Sequence, residues 1–259
     1  MSISLLGFAC GDKEEPQSEP AALTSEKDDA NKKPARPAPQ PEAEKPVATK
    51  KPAAVNRTAT TALAPIRIKL PKPLFMGTPR NLRVHNLEKP RGKPRPPFLA
   101  PADVKNVALN KAVTGSDEDP IIGELDCITD GEVSGADGTY VDLSFGTQYV
   151  HIDLEGLFEI FAVLVWHFHQ EGRVYHDVVV QVADDADFIA NVRTLFNNDD
   201  DNSSGLGVGK DRPYLETHEG KLIDAGGVKA SHIRLYSRGN TSNEQNHYVE
   251  VQVFGRPVR

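Results

Sequence analysis

The chain has 259 residues and a formal net charge of −7, but its 20 prolines and its charges are distributed unevenly: 17 prolines lie at or before Pro101, residues 1–102 carry 18 basic against 10 acidic side chains, and residues 103–259 carry 12 against 27. This contrast predicts a folded, acidic domain over 103–259, and an acidic domain repels phosphate backbones, which argues against nucleic acid as its partner. Two cysteines cannot form a disulfide framework, so the domain must be stabilised by an apolar core.

The start of the chain, MSISLLGFAC, is a short apolar run that ends at Cys10. It resembles the end of a bacterial lipoprotein signal, in which the cysteine becomes the lipidated first residue of the mature protein. The resemblance implies a signal-like segment over 1–10, lipidation of Cys10, and a lipid-anchored location in the bacterial cell envelope, periplasmic or surface-exposed. The alternative is an apolar N-terminus on a cytosolic protein.

Residues 11–102 are predicted to be a disordered linker, because a segment rich in Pro, Ala, Lys and Glu cannot offset the entropy of ordering. The second half of this linker is different in charge. Between Arg57 and Arg95 there are ten basic side chains and one acid, Glu88, with apolar residues interspersed. Two interpretations stay open: a solvated basic linker, or an arm that docks on the acidic domain or on an anionic envelope polymer.

From Asn106 onward the sequence is a series of short alternating runs bounded by turn residues. The runs are NVALNKAVTGS, TYVDLSFG, QYVHIDLEG, HIRLYSRG and HYVEVQVFG. Only residues 186–190 hint at a helical turn. Strands at this spacing, without an amphipathic helix between them, predict an all-β fold of the jelly-roll sandwich type.

The segment 160–185 contains the only Trp and three of the eight His, and its alternation predicts a β-hairpin with the turn at Glu171-Gly172. In this register the apolar pairs on the core face are Phe161 with Val182, Val163 with Val180, and Val165 with Val178. The same register places His167 opposite His176, with His169 further along the same face. Three imidazoles are therefore predicted at the mouth of the core.

The domain resembles a known family, the discoidin or coagulation-factor C-type domains of the galactose-binding-like jelly rolls, which include many bacterial carbohydrate-binding modules. The resemblance covers roughly residues 106–255. It depends on the order of short motifs: ALNK, ITDG, QYVHIDL, the run over 178–185, IRLY and YVEVQVFG. It implies a non-catalytic binding module for carbohydrate. An alternative use of the same fold is a protein-interaction or adhesion module of the envelope.

The family often binds a structural calcium ion between the start of the domain and its last strand. The resemblance implies that Asp130, Thr139 and Glu250 would hold this Ca²⁺ here. The residue types are suitable, since Ca²⁺ takes six to eight oxygen ligands. Glu250 also alternates with Val249 and Val251, so its side chain occupies a sheet position in which an acid needs a partner.

The family's ligand site lies on the loops at one end of the sandwich and uses planar or forked donors with an aromatic side chain. The loops near residue 171, after Phe196 and over 238–246 are expected at that end. They supply the predicted ligand-binding residues His167, His169, Arg173, Tyr175, Asn198, Asn240 and His247.

Two metal-site alternatives arise from the residues themselves. His167, His169 and His176 could hold zinc or copper and would then favour a metal-dependent envelope enzyme, although no general base lies near them in the sequence. Asp199, Asp201 and Ser203 have the spacing of the first half of an EF-hand loop, but Ser204 and Lys210 replace the Gly and Glu of that motif. We therefore interpret the second group as a solvated loop.

Overall fold

A computed structural model describes residues 62–258 of the chain. The predicted anchor at Cys10 and the linker up to residue 61 lie outside the described residues. Among the described residues, no helix is long and apolar enough to cross a membrane.

The regular structure of residues 62–258 consists of strands and one 3-10 helix, Leu125–Thr129. The strands are β1 (Leu63–Pro65), β2 (Leu99–Pro101), β3 (Lys105–Asn106), β4 (Val113–Gly115), β5 (Val141–Leu143), β6 (Gln148–Trp166), β7 (Val179–Ala183), β8 (Arg193–Asn197), β9 (Lys221–Ser237), β10 (Asn246–Tyr248) and β11 (Glu250–Pro257).

The strands form an antiparallel β-sandwich. One sheet has the order β3-β11-β6-β9-β7-β8, with β4 paired to the first half of β6. The pair β5-β10 lies on the other side of the core. Between these layers pack the inward side chains of both, including Val141, Val163, Val180, Leu235 and Tyr248. The prediction of an all-β jelly-roll sandwich is confirmed.

Strand β6 shows why the sequence folds in this way. In its first half, Val150, Ile152 and Leu154 are buried and alternate with more exposed neighbours, as expected where one face meets the core. In its second half, 162–166 are all buried, because this part of the strand is covered on both faces. The outer face belongs to a second apolar cluster that contains Leu164 and Trp166.

The predicted hairpin is wrong in its pairing. Strands β6 and β7 do not pair with each other; β9 lies between them and pairs with both. Val163 and Val180 do face the core as predicted. Phe161 does not, because a register shift between Ile160 and Ala162 brings Ile160 into the core instead. The alternation of apolar and polar residues determines which face of the sheet a side chain lies on. It does not determine which strand pairs with which, because several strands have the same alternation.

The residues that precede the sandwich form an ordered segment, which we call the arm (residues 62–101). Its ends are paired with each other, since β1 and β2 are antiparallel with Leu63 opposite Pro101. Its apolar side chains Ile66, Ile68 and Phe98 pack on the outer cluster of β6. The structure therefore assigns 62–102, predicted as linker, to the folded unit. The physical reason is the apolar outer face around Trp166, which the arm removes from water.

Polar contacts hold the returning half of the arm. The Arg95 guanidinium donates to the carbonyls of Glu219, at 2.8 Å, and of Gly220, at 3.0 Å, and the Arg95 backbone NH donates to the Glu219 carboxylate at 3.0 Å. Arg91 also contacts that carboxylate. The Glu88 backbone NH donates to the Pro213 carbonyl, and its side chain pairs with Lys221 at 2.6 Å. Of the two interpretations of the basic segment, the structure shows the docked arm.

Candidate functional site

Three loops of the sandwich meet at one end of the molecule. They connect β6 to β7 (residues 167–178, the first loop), β8 to β9 (198–220, the second loop) and β9 to β10 (238–245, the third loop). Backbone bonds join them: the Thr241 NH donates to the Val174 carbonyl at 3.0 Å, and the Glu216 NH donates to the Arg173 carbonyl at 2.8 Å. The prediction that these loops share one end is confirmed by these contacts.

A cavity of about 530 Å³ lies where the loops meet. We call it the loop-end pocket. Its lining from the sandwich comprises Gly172, Tyr175, His176, Asp177, Asn198, Asp200, Pro213, Thr241 and Ser242, and the arm adds Pro79, Asn81, Leu82, Arg83, Val84 and His85. Polar groups of both charge signs therefore surround the cavity.

Asn198 joins the pocket to the sheet. Its side-chain oxygen accepts the Val178 NH at 2.7 Å, which fixes the orientation of the amide. The side chain is only 4% exposed, and its amide nitrogen has no hydrogen-bond partner among the described residues. A buried amide donor without a partner is costly, so a ligand acceptor at this position would be favoured.

A chain of buried polar side chains lies beneath the pocket. His167 is fully buried, with Nδ1 3.1 Å from the Glu216 carboxylate and its ring stacked on Tyr175 at 4.3 Å. The Tyr175 hydroxyl lies 3.0 Å from His247 Nδ1, and His247 Nε2 lies 3.6 Å from Asp142. This arrangement supports the loops from below.

The electrostatics of this chain follow from its burial. Burial, together with the positive charge of Arg173, lowers the pKa of His247 to about 4, so that this imidazole is neutral near pH 7. Burial also raises the pKa of Asp142 to about 6, although the Arg173 guanidinium opposes the shift. Burial raises the pKa of Tyr175 well above its usual value, so its phenol stays protonated.

Of the predicted ligand-binding residues, some line the pocket and others lie beneath it. Tyr175 and Asn198 line the pocket. Asn240 forms a bridge with Tyr175 and hydrogen-bonds within the third loop. The imidazoles His167, His169 and His247 are buried below the lining. We assign these three to the support of the loops, because their ring atoms contact protein groups.

Arg173 lies beside the pocket instead of in its wall. Its guanidinium packs over the Phe168 ring at 4.6 Å and donates to Glu171 at 3.1 Å. Two further nitrogens of the guanidinium are buried without a hydrogen-bond partner among residues 62–258. The arrangement positions the first loop and supplies the positive charge that acts on Asp142 and His247.

The alternative of a histidine metal site is not formed by the described residues. His169 Nε2 lies 2.8 Å from the Val133 carbonyl, so this nitrogen carries the proton and donates to it, while His167 is paired to Glu216 and His176 is exposed. The group in this part of the chain with metal-like spacing is Asp177, Asp199 and Asp201. Asp199 already accepts the backbone NH groups of Ser203 and Ser204, as a turn-forming acid does.

The predicted calcium residues are brought together in part. Glu250 is fully buried and accepts the Gly131 NH at 3.1 Å, directly beside Asp130 in sequence. Burial, with the nearby acids Asp130 and Glu132, raises the pKa of Glu250 to about 8, although the Gly131 NH opposes the shift. Carboxylate oxygens are the ligands that a hard divalent cation such as Ca²⁺ prefers. Thr139 fits less well, since its hydroxyl donates to the Ala136 carbonyl at 2.9 Å.

The arm residues 79–85 are the part of the pocket that the sequence did not predict. A signal for them exists: Leu82 and Val84 alternate with polar Asn81, Arg83 and His85. In the structure Leu82 and Val84 are half-buried and the three polar residues are exposed. Such alternation inside a proline-rich basic segment indicates that one side of the segment packs against another part of the protein.

Comparison with known proteins gives structural likenesses only. No family model matches the chain, and no curated protein matches it. A family 89 glycoside hydrolase from Clostridium perfringens, solved with 2-acetamido-1,2-dideoxynojirmycin, is 18% identical with a TM-score of 0.45, over 59% of this chain and 15% of that one. The chain thus spans a small part of that enzyme.

Two similar structures are separate modules. CpGH89CBM32-4, produced by Clostridium perfringens and solved with GlcNAc-alpha-1,4-galactose, is 21% identical with a TM-score of 0.44, over 60% of this chain and 96% of that one. Chitosan-binding module 1 of a chitosanase/glucanase from a Paenibacillus species is 18% identical with a TM-score of 0.41, over 58% of this chain and 99% of that one.

Proposed function

We propose that the protein is a non-catalytic module that binds carbohydrate in the loop-end pocket. The observation that carries the proposal is a cavity of about 530 Å³ where three loops meet, with the buried Asn198 amide donor still unpartnered among the described residues. Sugars offer many hydroxyls that both donate and accept. The carboxylates, amide, imidazole and hydroxyls of the lining are suitable partners for them.

The test is a binding measurement on the full chain. The probes are soluble oligosaccharides of galactose, glucose, N-acetylglucosamine and uronic acids, titrated against wild type and Asp200→Ala. The Asp200 carboxylate is 71% exposed at the pocket and is a charged acceptor for a hydroxyl. Loss of such a bond weakens affinity by about tenfold or more. Asp187→Ala, at an exposed acid outside the pocket, is the matched control. Absence of binding by wild type to every probe would end the proposal.

A structural calcium ion is the second part of the proposal. Asp130 and Glu250 would hold it, with Glu132 close enough to affect the pKa of Glu250. The ion would be the cationic partner of the buried Glu250 carboxylate. It would also connect the loop after the 3-10 helix to β11. This role is structural and separate from ligand contact.

Display from the cell envelope through a lipid on Cys10 is the third part. It is supported by the apolar run before Cys10 and by the proline-rich segment that separates it from the arm. Metabolic labelling with a fatty-acid analogue should mark the wild-type protein and not Cys10→Ala, and Cys10→Ala should leave the membrane fraction. An unchanged distribution of Cys10→Ala would contradict the anchor while leaving the glycan proposal intact.

A further inference from the structure

The polar and apolar parts of the loop-end pocket come from different parts of the chain. The three loops contribute most of the polar groups, among them His176, Asp177 and Ser242. The aliphatic side chains of the lining are Pro79, Leu82, Val84 and Pro213, and all but Pro213 belong to the arm. The sandwich alone therefore presents a mostly polar surface at this end.

The aromatic side chain expected in this position does not supply an exposed ring. Tyr175 lines the pocket but is only 1% exposed, with one face stacked on His167 and its hydroxyl beside His247. A sugar ring has an apolar face as well as hydroxyls, and it needs an apolar surface on which to lie. In the loop-end pocket such a surface is provided chiefly by the arm.

The arm is held closely against the first loop at this point. A Cβ atom added to Gly172 would lie 2.6 Å from Pro79 Cγ and 3.5 Å from the Phe75 ring, so only glycine permits this approach. The Leu82 NH donates to the Pro79 carbonyl at 3.2 Å, which turns the chain back along the pocket. Glu88 then fixes the segment to the second loop at Pro213. The arm wall is thus fastened on both sides.

From this arrangement we infer that the arm segment 79–85 is the apolar wall of the glycan site: Leu82 and Val84 contact the ring face of the bound sugar, and Arg83 donates to its hydroxyls. The inference rests on the proposed glycan-binding function of the same pocket. Arg83 is exposed and lines the pocket, and no acidic side chain among residues 62–258 pairs with it. Its guanidinium is therefore available to a ligand.

The inference is tested with the oligosaccharide panel described above, using full-length Leu82→Ala and Arg83→Ala. Leu82→Ala removes the larger part of an isobutyl side chain and should weaken binding about fivefold. Arg83→Ala removes a charged hydrogen-bond donor and should weaken binding about tenfold. Matched controls lie in the same arm but outside segment 79–85 and the pocket lining: Leu74→Ala, at a side chain that is 55% exposed, and Arg67→Ala, at an exposed basic residue. Both controls should bind as wild type does.

A second variant tests the position of the arm without removing a contact group. Gly172→Ala should force Pro79 away from the first loop and weaken binding to a similar extent, while the thermal midpoint of the sandwich reports that the protein remains folded. The inference would be overturned if Leu82→Ala, Arg83→Ala and Gly172→Ala all bound the oligosaccharide as strongly as wild type does. That result would leave the proposed function standing. Stronger binding by Gly172→Ala would also overturn the inference, since the arm would then block access to the pocket instead of contacting the sugar. Absence of binding by every protein would overturn both.

Discussion

The sandwich and the arm are held in place by different interactions. The sandwich has a continuous apolar core between its layers and long ladders of backbone bonds, of which β6 with β9 is the longest. The arm has one short strand pair, a few apolar side chains on the outer face of β6, and polar contacts around Glu219. We therefore expect the sandwich to unfold cooperatively and the arm to open locally at a lower free energy.

The largest effect should come from the core. Leu235 in β9 is fully buried, and Leu235→Ala should lower the free energy of unfolding by about 2–5 kcal/mol, because it removes buried methyl groups and leaves a cavity. Urea denaturation measures this change. Leu157→Ala, at a leucine that is 44% exposed, is the control and should change stability little. Equal effects at both positions would contradict the assignment of the core.

The next effect concerns Glu250, whose site belongs to the sandwich. A cation that binds only the folded state at a hundredfold excess over its Kd stabilises it by about 2.7 kcal/mol, so calcium should raise the thermal midpoint of wild type. Glu250→Gln and Asp130→Asn should remove the response, and Asp153→Asn should keep it. A midpoint that calcium and chelator leave unchanged in wild type would argue against the site.

The same carboxyl predicts a pH dependence in the absence of calcium. The pKa of Glu250 is raised from 4.5 to about 8 in the folded state, so the folded protein binds more protons than the unfolded chain between these values. Stability is therefore highest below pH 4.5 for this group and falls as the pH rises toward 8, by up to about 1.4 kcal/mol per pH unit. Glu250→Gln should flatten this slope in chelator-containing buffer.

A smaller effect should separate the arm from the sandwich. Arg95→Ala removes two side-chain bonds to the carbonyls of Glu219 and Gly220. The opening free energy of the arm should fall by about 1–3 kcal/mol, seen as faster hydrogen exchange at Ile66 and Ala102, whose NH groups bond within the paired ends of the arm. Exchange in β6 and β9 should not change, and Arg80→Ala should match wild type.

The smallest effect is expected for the ion pair between Glu88 and Lys221. The Glu88 side chain is 45% exposed, and exposed pairs contribute about 0–1 kcal/mol. Glu88→Gln should therefore change arm exchange less than Arg95→Ala does, and high salt should reduce the difference further. A larger effect for Glu88→Gln would mean that this pair, and not the Arg95 contacts, holds the arm.

Much of the fold could be predicted from the sequence because alternation reports the face of each side chain. Val163, Val180 and Val182 reach the core as their positions predicted. The partner of each strand could not be predicted in the same way, since pairing is decided by the whole sheet. The register shift near Phe161 also has no local signal, because it depends on the strands on both sides of β6.

The candidate site could be predicted only as far as its loops. The resemblance placed the three loops at one end, but it could not show that His167 and His247 would be buried in pairs with Glu216 and Tyr175. Such pairs join residues far apart in sequence. The docked arm was one of two open interpretations because average composition describes a proline-rich basic linker, whereas a few apolar residues such as Ile66 and Phe98 decide that it docks.

The paired ends of the arm have a mechanical consequence. Strand β1 lies antiparallel to β2, and β2 continues into the sandwich. A pulling force applied on the N-terminal side of β1 would separate this pair one hydrogen bond at a time, the geometry in which strands resist least. Roughly 40 residues would then extend by as much as about 130 Å before the load reached β3, the first strand of the sandwich. We therefore expect the arm to extend under load while the sandwich stays folded.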